Sequence, residues 1–360
     1  MPSEFSSQVI AWQKSSGRHD LPWQNTRDPY ALWVSEIMLQ QTQVVTVIPY
    51  YTRFMARFPS LSALAGAAEQ NVLAAWSGLG YYARGRNIHR TAKAIRDVHG
   101  GSFPRELPLV MDLPGIGRST AAAICVFAFG QRHAILDGNV KRVLARYFGV
   151  HGYPGDRQVE TQLWALADSL LPSLGIESYT QGLMDLGASV CTRTRPACAR
   201  CPLAGECVAK REQLVDKLPA PKARKERPHR RTKMLILWDG HEVLLERRPP
   251  AGIWGGLWCF PEGAQPIEEC VAACARRFAV ECERILPLAL VEHGFTHFKL
   301  TIEPYLLRVS RNETRAAEPG ALWLPIQDAS ASALPAPVRE LLVSLVTSGY
   351  CPAENPVFGR

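Results

Sequence analysis

LPGIGRSTAAAICVFAFGQRHAILDGNVKRVLAR, Leu113 to Arg146, carries a glycine turn, an apolar helical run and then an acid at the head of a second helix. Gly115 and Gly117 let the backbone turn tightly, which frees the first N–H groups of the following helix to face an anion such as a DNA phosphate. Asp137, opening the next helix, would lie beside the bound backbone. An LPGIG run alone also fits a plain helix–helix turn; the DGNVKR continuation argues for the phosphate site, with Arg118 and Arg142 as its side chains.

The same stretch resembles the helix-hairpin-helix DNA glycosylases, and the continuation with Asp137, Asn139 and Arg142 is similar to their adenine-specific, MutY-type branch. That resemblance implies that Asp137, with Asn139 in the catalytic group, stabilises the positive sugar formed as a base leaves, a case of electrostatic catalysis. Bifunctional members carry a nucleophilic lysine directly after the hairpin. Here Ser119 stands in its place in GRST, so no Schiff base and no built-in strand cleavage are expected.

VSEIMLQQTQV, Val34 to Val44, sits on a helical pattern in which Tyr30, Trp33, Val34, Ile37 and Met38 form one apolar stripe, with Glu36 and Gln40 on its flank. On pattern alone a flanking acid is usually solvated. The segment resembles the adenine glycosylase motif, which implies that Glu36 protonates the departing base. An acid of that kind needs a pKa raised by an apolar pocket, for which Trp23, Trp33 and Ile37 are the candidate walls. Chemistry on a duplex base also requires extrusion of the nucleotide. Gln40, Gln41, Thr42, Leu79 and Tyr81 are the expected pocket and wedge residues, with Ser119 lining the base site and Asp185 of GLMDLGA as an acidic pocket position, all by resemblance.

Cys191, Cys198, Cys201 and Cys207 follow the spacing C-x6-C-x2-C-x5-C. No signal peptide accompanies them, which disfavours disulfides. Four thiolates suit a metal, and zinc is a rival, although structural zinc sites usually pair two C-x2-C knuckles and one is present. The spacing is similar to the [4Fe-4S] loop of endonuclease III and its adenine-specific relatives, which implies that cofactor on residues 191–207.

Composition bounds the rest. The 360 residues, 47% hydrophobic, support two domains. A net charge of +8 suits a polyanionic partner. The longest apolar run, Ala121 to Phe129, is too short to span a bilayer, so a soluble cytoplasmic monomer, nucleoid-associated if bacterial, is expected.

Residues 1–215 read as an all-helical domain, with the hairpin over about 107–130. Residues 216–232, basic and carrying Pro219, Pro221 and Pro228, read as a linker. From residue 233 to 360 the period switches to strands: MLILW, an Asp239-Gly240 hairpin signal, then EVLLER, giving an α+β domain. GIWGGLWCFPEG and the helix after it resemble the Nudix-like C-terminal domain of the same glycosylases. A Nudix hydrolase needs a glutamate-rich helix for magnesium, whereas PIEECVAACARRF offers only Glu268 and Glu269, so a binding domain is expected. Phe295, Thr296 and His297 precede an alternating strand and match the motif with which the family reads 8-oxoguanine, with Thr296 where the family has serine. Duplex DNA containing adenine opposite 8-oxoguanine or guanine is therefore the partner that the resemblance implies. A Nudix pyrophosphohydrolase and a non-catalytic iron–sulfur DNA-binding protein are the readings from other classes.

Overall fold

Small and straight-chain residues at three- and four-residue spacing fold as helices, and the chain is helical from Glu4 to Arg211. The computed structural model describes residues 4–223, 226–311 and 318–348. The Leu107–Met111 and Arg118–Phe129 helices flank the expected turn. Only one of its two glycines is demanded by backbone geometry. Gly115 has φ +81°, and a Cβ there would meet Asn87 at 2.7 Å. Gly117, expected to share that duty, has an ordinary φ of −91° and open space around it, so it leaves room for an approaching group and does not make the turn.

The described residues of Met1–Ala67 and Asn87–Arg224 form one compact unit, and those of Ala68–Arg86 and Lys225–Arg360 form another. In the first, Val126, Leu136, Leu144 and Leu183 pack one apolar core, each fully buried aliphatic contributing about 1.5–3 kcal/mol. That core fixes the Gly138–Phe148 helix, whose N-cap is Asp137.

The second unit is built on a mixed sheet. Its strands are β1 (His229–Trp238), β2 (Glu242–Arg247), β3 (Trp258–Cys259), β4 (Glu262–Gly263), β5 (Val280–Pro287), β6 (Val291–Gly294), β7 (Lys299–Arg311) and β8 (Ala321–Pro325). The main path runs β3-β2-β1-β7-β5, with β4 on β1, β6 on β7 and β8 on β2. β1 and β7 are parallel and the other pairs antiparallel. The Asp239-Gly240 turn forms as expected, with the Asp239 carboxylate accepting the N–H of His241 and Glu242. β1 starts inside the expected linker, because His229 to Thr232 pair with Lys299 to Ile302.

Residues 68–86 belong to this second unit although they lie deep in the helical part of the sequence. The Glu69–Trp76 helix puts Leu73, with no exposed surface, into the core made by Met234, Phe260, Leu300 and Leu342.

Candidate active site

Pro29 at N1 and Asp28 as N-cap, its carboxylate accepting the Tyr30 N–H at 3.0 Å, start the Pro29–Leu39 helix that carries Glu36. Trp33, Val34, Ile37 and Met38 are buried, as the stripe predicts, and leave Glu36 partly exposed at its flank. Glu36 lines a cavity of about 650 Å³ with Trp23, Arg18, Gln181, Leu39 and Phe127. Burial pushes its carboxyl up to about 8, and the charge of Asp137 adds to the rise. At neutral pH Glu36 is therefore largely protonated and able to give a proton.

Asp137 is held differently. Its carboxylate caps the next helix by accepting the Val140 N–H at 2.8 Å. Burial raises its pKa, while the N–H groups of Val140 and Asn139 and the Arg142 charge oppose the rise. Asn139 approaches the second carboxylate oxygen at 3.5 Å and accepts from Arg142 Nη2 at 2.8 Å.

Arg142, expected at a phosphate, is turned inward. Its guanidinium also donates to the carbonyls of Cys191 at 2.7 Å, Gly187 at 2.6 Å and Gly138 at 3.3 Å, so it ties the Asp137 cap to the cysteine loop. A π turn, Leu186–Val190, presents the Gly187 carbonyl. Gly187 is a residue that the sequence reading missed: a Cβ there would lie 2.5 Å from the Asn139 Cβ.

Asp185 is likewise not a cavity wall. It has no exposed surface and binds Arg18, with Nε at 2.7 Å and the backbone N–H at 2.9 Å, while Gln181 donates to it at 2.8 Å. Its partners Arg18 and Gln181 do line the cavity. An acid in the apolar run GLMDLGA signals a buried charge that needs a partner; nothing in the spacing identifies that partner as Arg18. Ser119, expected in the base site, is not among the cavity-lining residues. Its hydroxyl accepts the Leu136 N–H at 3.0 Å and fixes the residue before Asp137.

Trp23 is buried at the cavity wall and meets Tyr51 edge-on. Gln40 reaches the hairpin, donating to the Gly115 carbonyl at 3.5 Å and Thr120 Oγ1 at 3.4 Å. Gln41 is exposed with φ +57°, and Thr42 donates back to the Gln40 carbonyl. Arg118 pairs with Asp168 at 3.0 Å and covers the Trp164 ring. In the second unit Leu79, an expected wedge, is buried, whereas Tyr81 is 46% exposed. Phe295 stacks on buried Phe298, and Thr296 and His297 stand exposed in the turn between β6 and β7.

Cys191, Cys198, Cys201 and Cys207 are free thiols lining one recess. Burial pushes Cys201 up to about 11 and raises Cys207. Arg146 Nη1 lies 3.4 Å from the Cys191 sulfur. Among the described residues, no three His, Cys, Asp or Glu side chains converge as they would on one metal ion. A set of four soft thiols facing one recess fits a group held by thiolates.

Residues 34–169 match the HhH-GPD superfamily base excision DNA repair protein family, and residues 233–344 match the NUDIX domain family. An adenine DNA glycosylase of Buchnera aphidicola subsp. Acyrthosiphon pisum is 36% identical over 340 residues, covering 94% of this chain and 96% of that relative. The adenine DNA glycosylase of Mus musculus is 36% identical over 89% of this chain and 73% of its own length. A solved thermostable thymine-DNA glycosylase, 30% identical, superposes with a TM-score of 0.53 over 58% of this chain and 95% of its own. No helix among the described residues is long and apolar enough to cross a membrane.

Proposed function

The chain belongs to the adenine DNA glycosylases, DNA N-glycosylases of base excision repair, and on that footing we propose that it removes adenine paired with 8-oxoguanine or guanine and leaves an abasic site. The observation that carries this reading is Glu36, held protonated at a cavity wall within electrostatic reach of Asp137. Adenine leaves poorly as an anion. Glu36 gives a proton to the base while the glycosidic bond stretches, and the Asp137 carboxylate stabilises the sugar cation until water adds. Ser119 offers no amine for a Schiff base, so the reaction stops at hydrolysis.

Asp137 works as an N-cap that Arg142 and Asn139 hold in one pose. Cys191, Cys198, Cys201 and Cys207 hold a [4Fe-4S] cluster in this reading, which secures the 191–207 loop and takes no part in the hydrolysis. Thr296 and His297, exposed beside half-buried Phe295, read the base opposite the adenine through a hydroxyl and an imidazole. The enzyme acts on duplex DNA as a cytoplasmic monomer, with Gly115, Gly117 and Arg118 at the phosphates.

Base release from a panel of duplexes tests the reading. Adenine should leave from pairs with 8-oxoguanine and guanine, and Thr296→Ala with His297→Ala should lower the preference for 8-oxoguanine at least several-fold, roughly one lost hydrogen bond each. Release of thymine in place of adenine would overturn the substrate assignment, and an unchanged preference would make the motif structural.

A further inference from the structure

Tyr81 combines an exposed ring with a left-handed backbone. It is 46% exposed, and its backbone is held at φ +48°, a left-handed conformation that a bulky residue adopts only when its surroundings impose it. Gly78 at φ +94° and Gly80 at φ +74° share the same short loop. Part of the restraint is local, since Trp76 Nε1 donates to the Gly80 carbonyl at 3.1 Å and Arg84 reaches the carbonyls of Leu79 and Gly80.

The rest comes from a distant segment of the sheet-bearing unit. Ser77 Oγ, just before the loop, donates to the Leu334 carbonyl at 2.8 Å, and the Tyr82 hydroxyl, just after it, donates to that same carbonyl at 3.0 Å. The Tyr82 oxygen in turn accepts the Gly78 N–H at 3.2 Å. Arg339 donates to Ser77 Oγ at 2.8 Å and to the Ser330 carbonyl at 2.6 Å, so the acceptor segment and the loop share one network.

We infer that the Leu334 carbonyl staples the Gly78–Tyr81 loop at both ends and sets the pose of Tyr81, which makes Ser77, Tyr82 and Arg339 positioning residues for strand entry. The inference rests on the proposed role of Tyr81 as the wedge. Attachment of the segment does not need the staple. Leu73 is buried in the core, Gln70 donates to the Gly256 carbonyl at 3.0 Å, and Arg86 donates to the Gly255 carbonyl at 2.6 Å. The two hydroxyls therefore orient the loop and do not anchor it. Tyr81 and the 295–297 turn also share one compact unit, so the residue that enters the helix is fixed to the same body as the residues proposed to read the lesion.

The test uses full-length protein with Ser77→Ala and Tyr82→Phe combined, Tyr81→Ala as the wedge control and Ser77→Thr as the variant that keeps a hydroxyl. Three quantities are read: single-turnover adenine release, the thermal midpoint, and the fluorescence of 2-aminopurine beside the mispair, which rises when that base unstacks. The double variant should lose at least half of the fluorescence rise and roughly fivefold or more in rate, with a midpoint within about 2 °C of the parent. Ser77→Thr should retain parent values. A double variant that keeps rate and fluorescence while Tyr81→Ala loses both would overturn the staple alone. A midpoint that falls by more than about 2 °C in step with activity would make the contact an anchor and overturn it too. Unchanged fluorescence in Tyr81→Ala would instead overturn the wedge role, and the staple with it.

Discussion

Asp137 lies close enough to Glu36 that its charge adds to burial in lifting the Glu36 carboxyl to about 8. The two acids therefore divide into a proton donor and a charged neighbour through their surroundings, since both are plain carboxyls in isolation.

The raised value sets a pH profile. Adenine release under single-turnover conditions should fall roughly tenfold per pH unit above about pH 8 as Glu36 ionises, and should also fall on the acid side as Asp137 takes up a proton. A rate that rises through this window would assign the group another role.

The same shift lowers stability. The unfolded chain ionises Glu36 above about pH 4.3, while the folded chain keeps it protonated to about 8, so the stabilising contribution is complete below the first value and is lost as pH rises toward the second. Glu36→Gln should gain about 4 kcal/mol over the parent at pH 8 and about 1 kcal/mol at pH 5, measured by urea denaturation. An equal gain at both would place the effect elsewhere.

Ser119 tests the absence of strand cleavage. The parent enzyme should leave abasic sites intact until alkali is added, and Ser119→Lys should gain nicking with a borohydride-trappable adduct. Loss of the Ser119 bond to the Leu136 N–H should lower stability by about 1 kcal/mol. Efficient nicking by the parent would refute the monofunctional reading.

Gly187→Ala would force a Cβ onto Asn139, since the two would stand 2.5 Å apart. The helix start must shift, with an expected loss of about 1–3 kcal/mol in stability and at least tenfold in adenine release. Parent-like values for both would mean that the π turn yields without moving Asp137.

The glycine hairpin, the apolar stripe of the Pro29–Leu39 helix and the Asp239-Gly240 turn were legible because each obeys a local rule of spacing or backbone conformation. Long-range relationships were not. Arg142 looks like a phosphate ligand in sequence, yet the fold occupies it with backbone carbonyls, and Arg118 forms a surface pair with Asp168. Asp185, expected as an acidic pocket position, is a buried charge whose partner, Arg18, lies far away in sequence. Leu79 and Tyr81 are neighbours in one loop, and only the structure separates the buried residue from the exposed one. Membership of residues 68–86 in the sheet-bearing unit rests on Leu73, which in sequence is one more leucine in a helical pattern.

Adenine release from an A:8-oxoguanine duplex by Glu36→Gln and by Asp137→Asn, each set beside its affinity for the uncleaved duplex, tests the division of labour between the two acids. Each variant should lose roughly a thousandfold or more in single-turnover rate, about 4 kcal/mol of barrier, while binding within several-fold of the parent. A rate within tenfold of the parent for either variant would contradict the account.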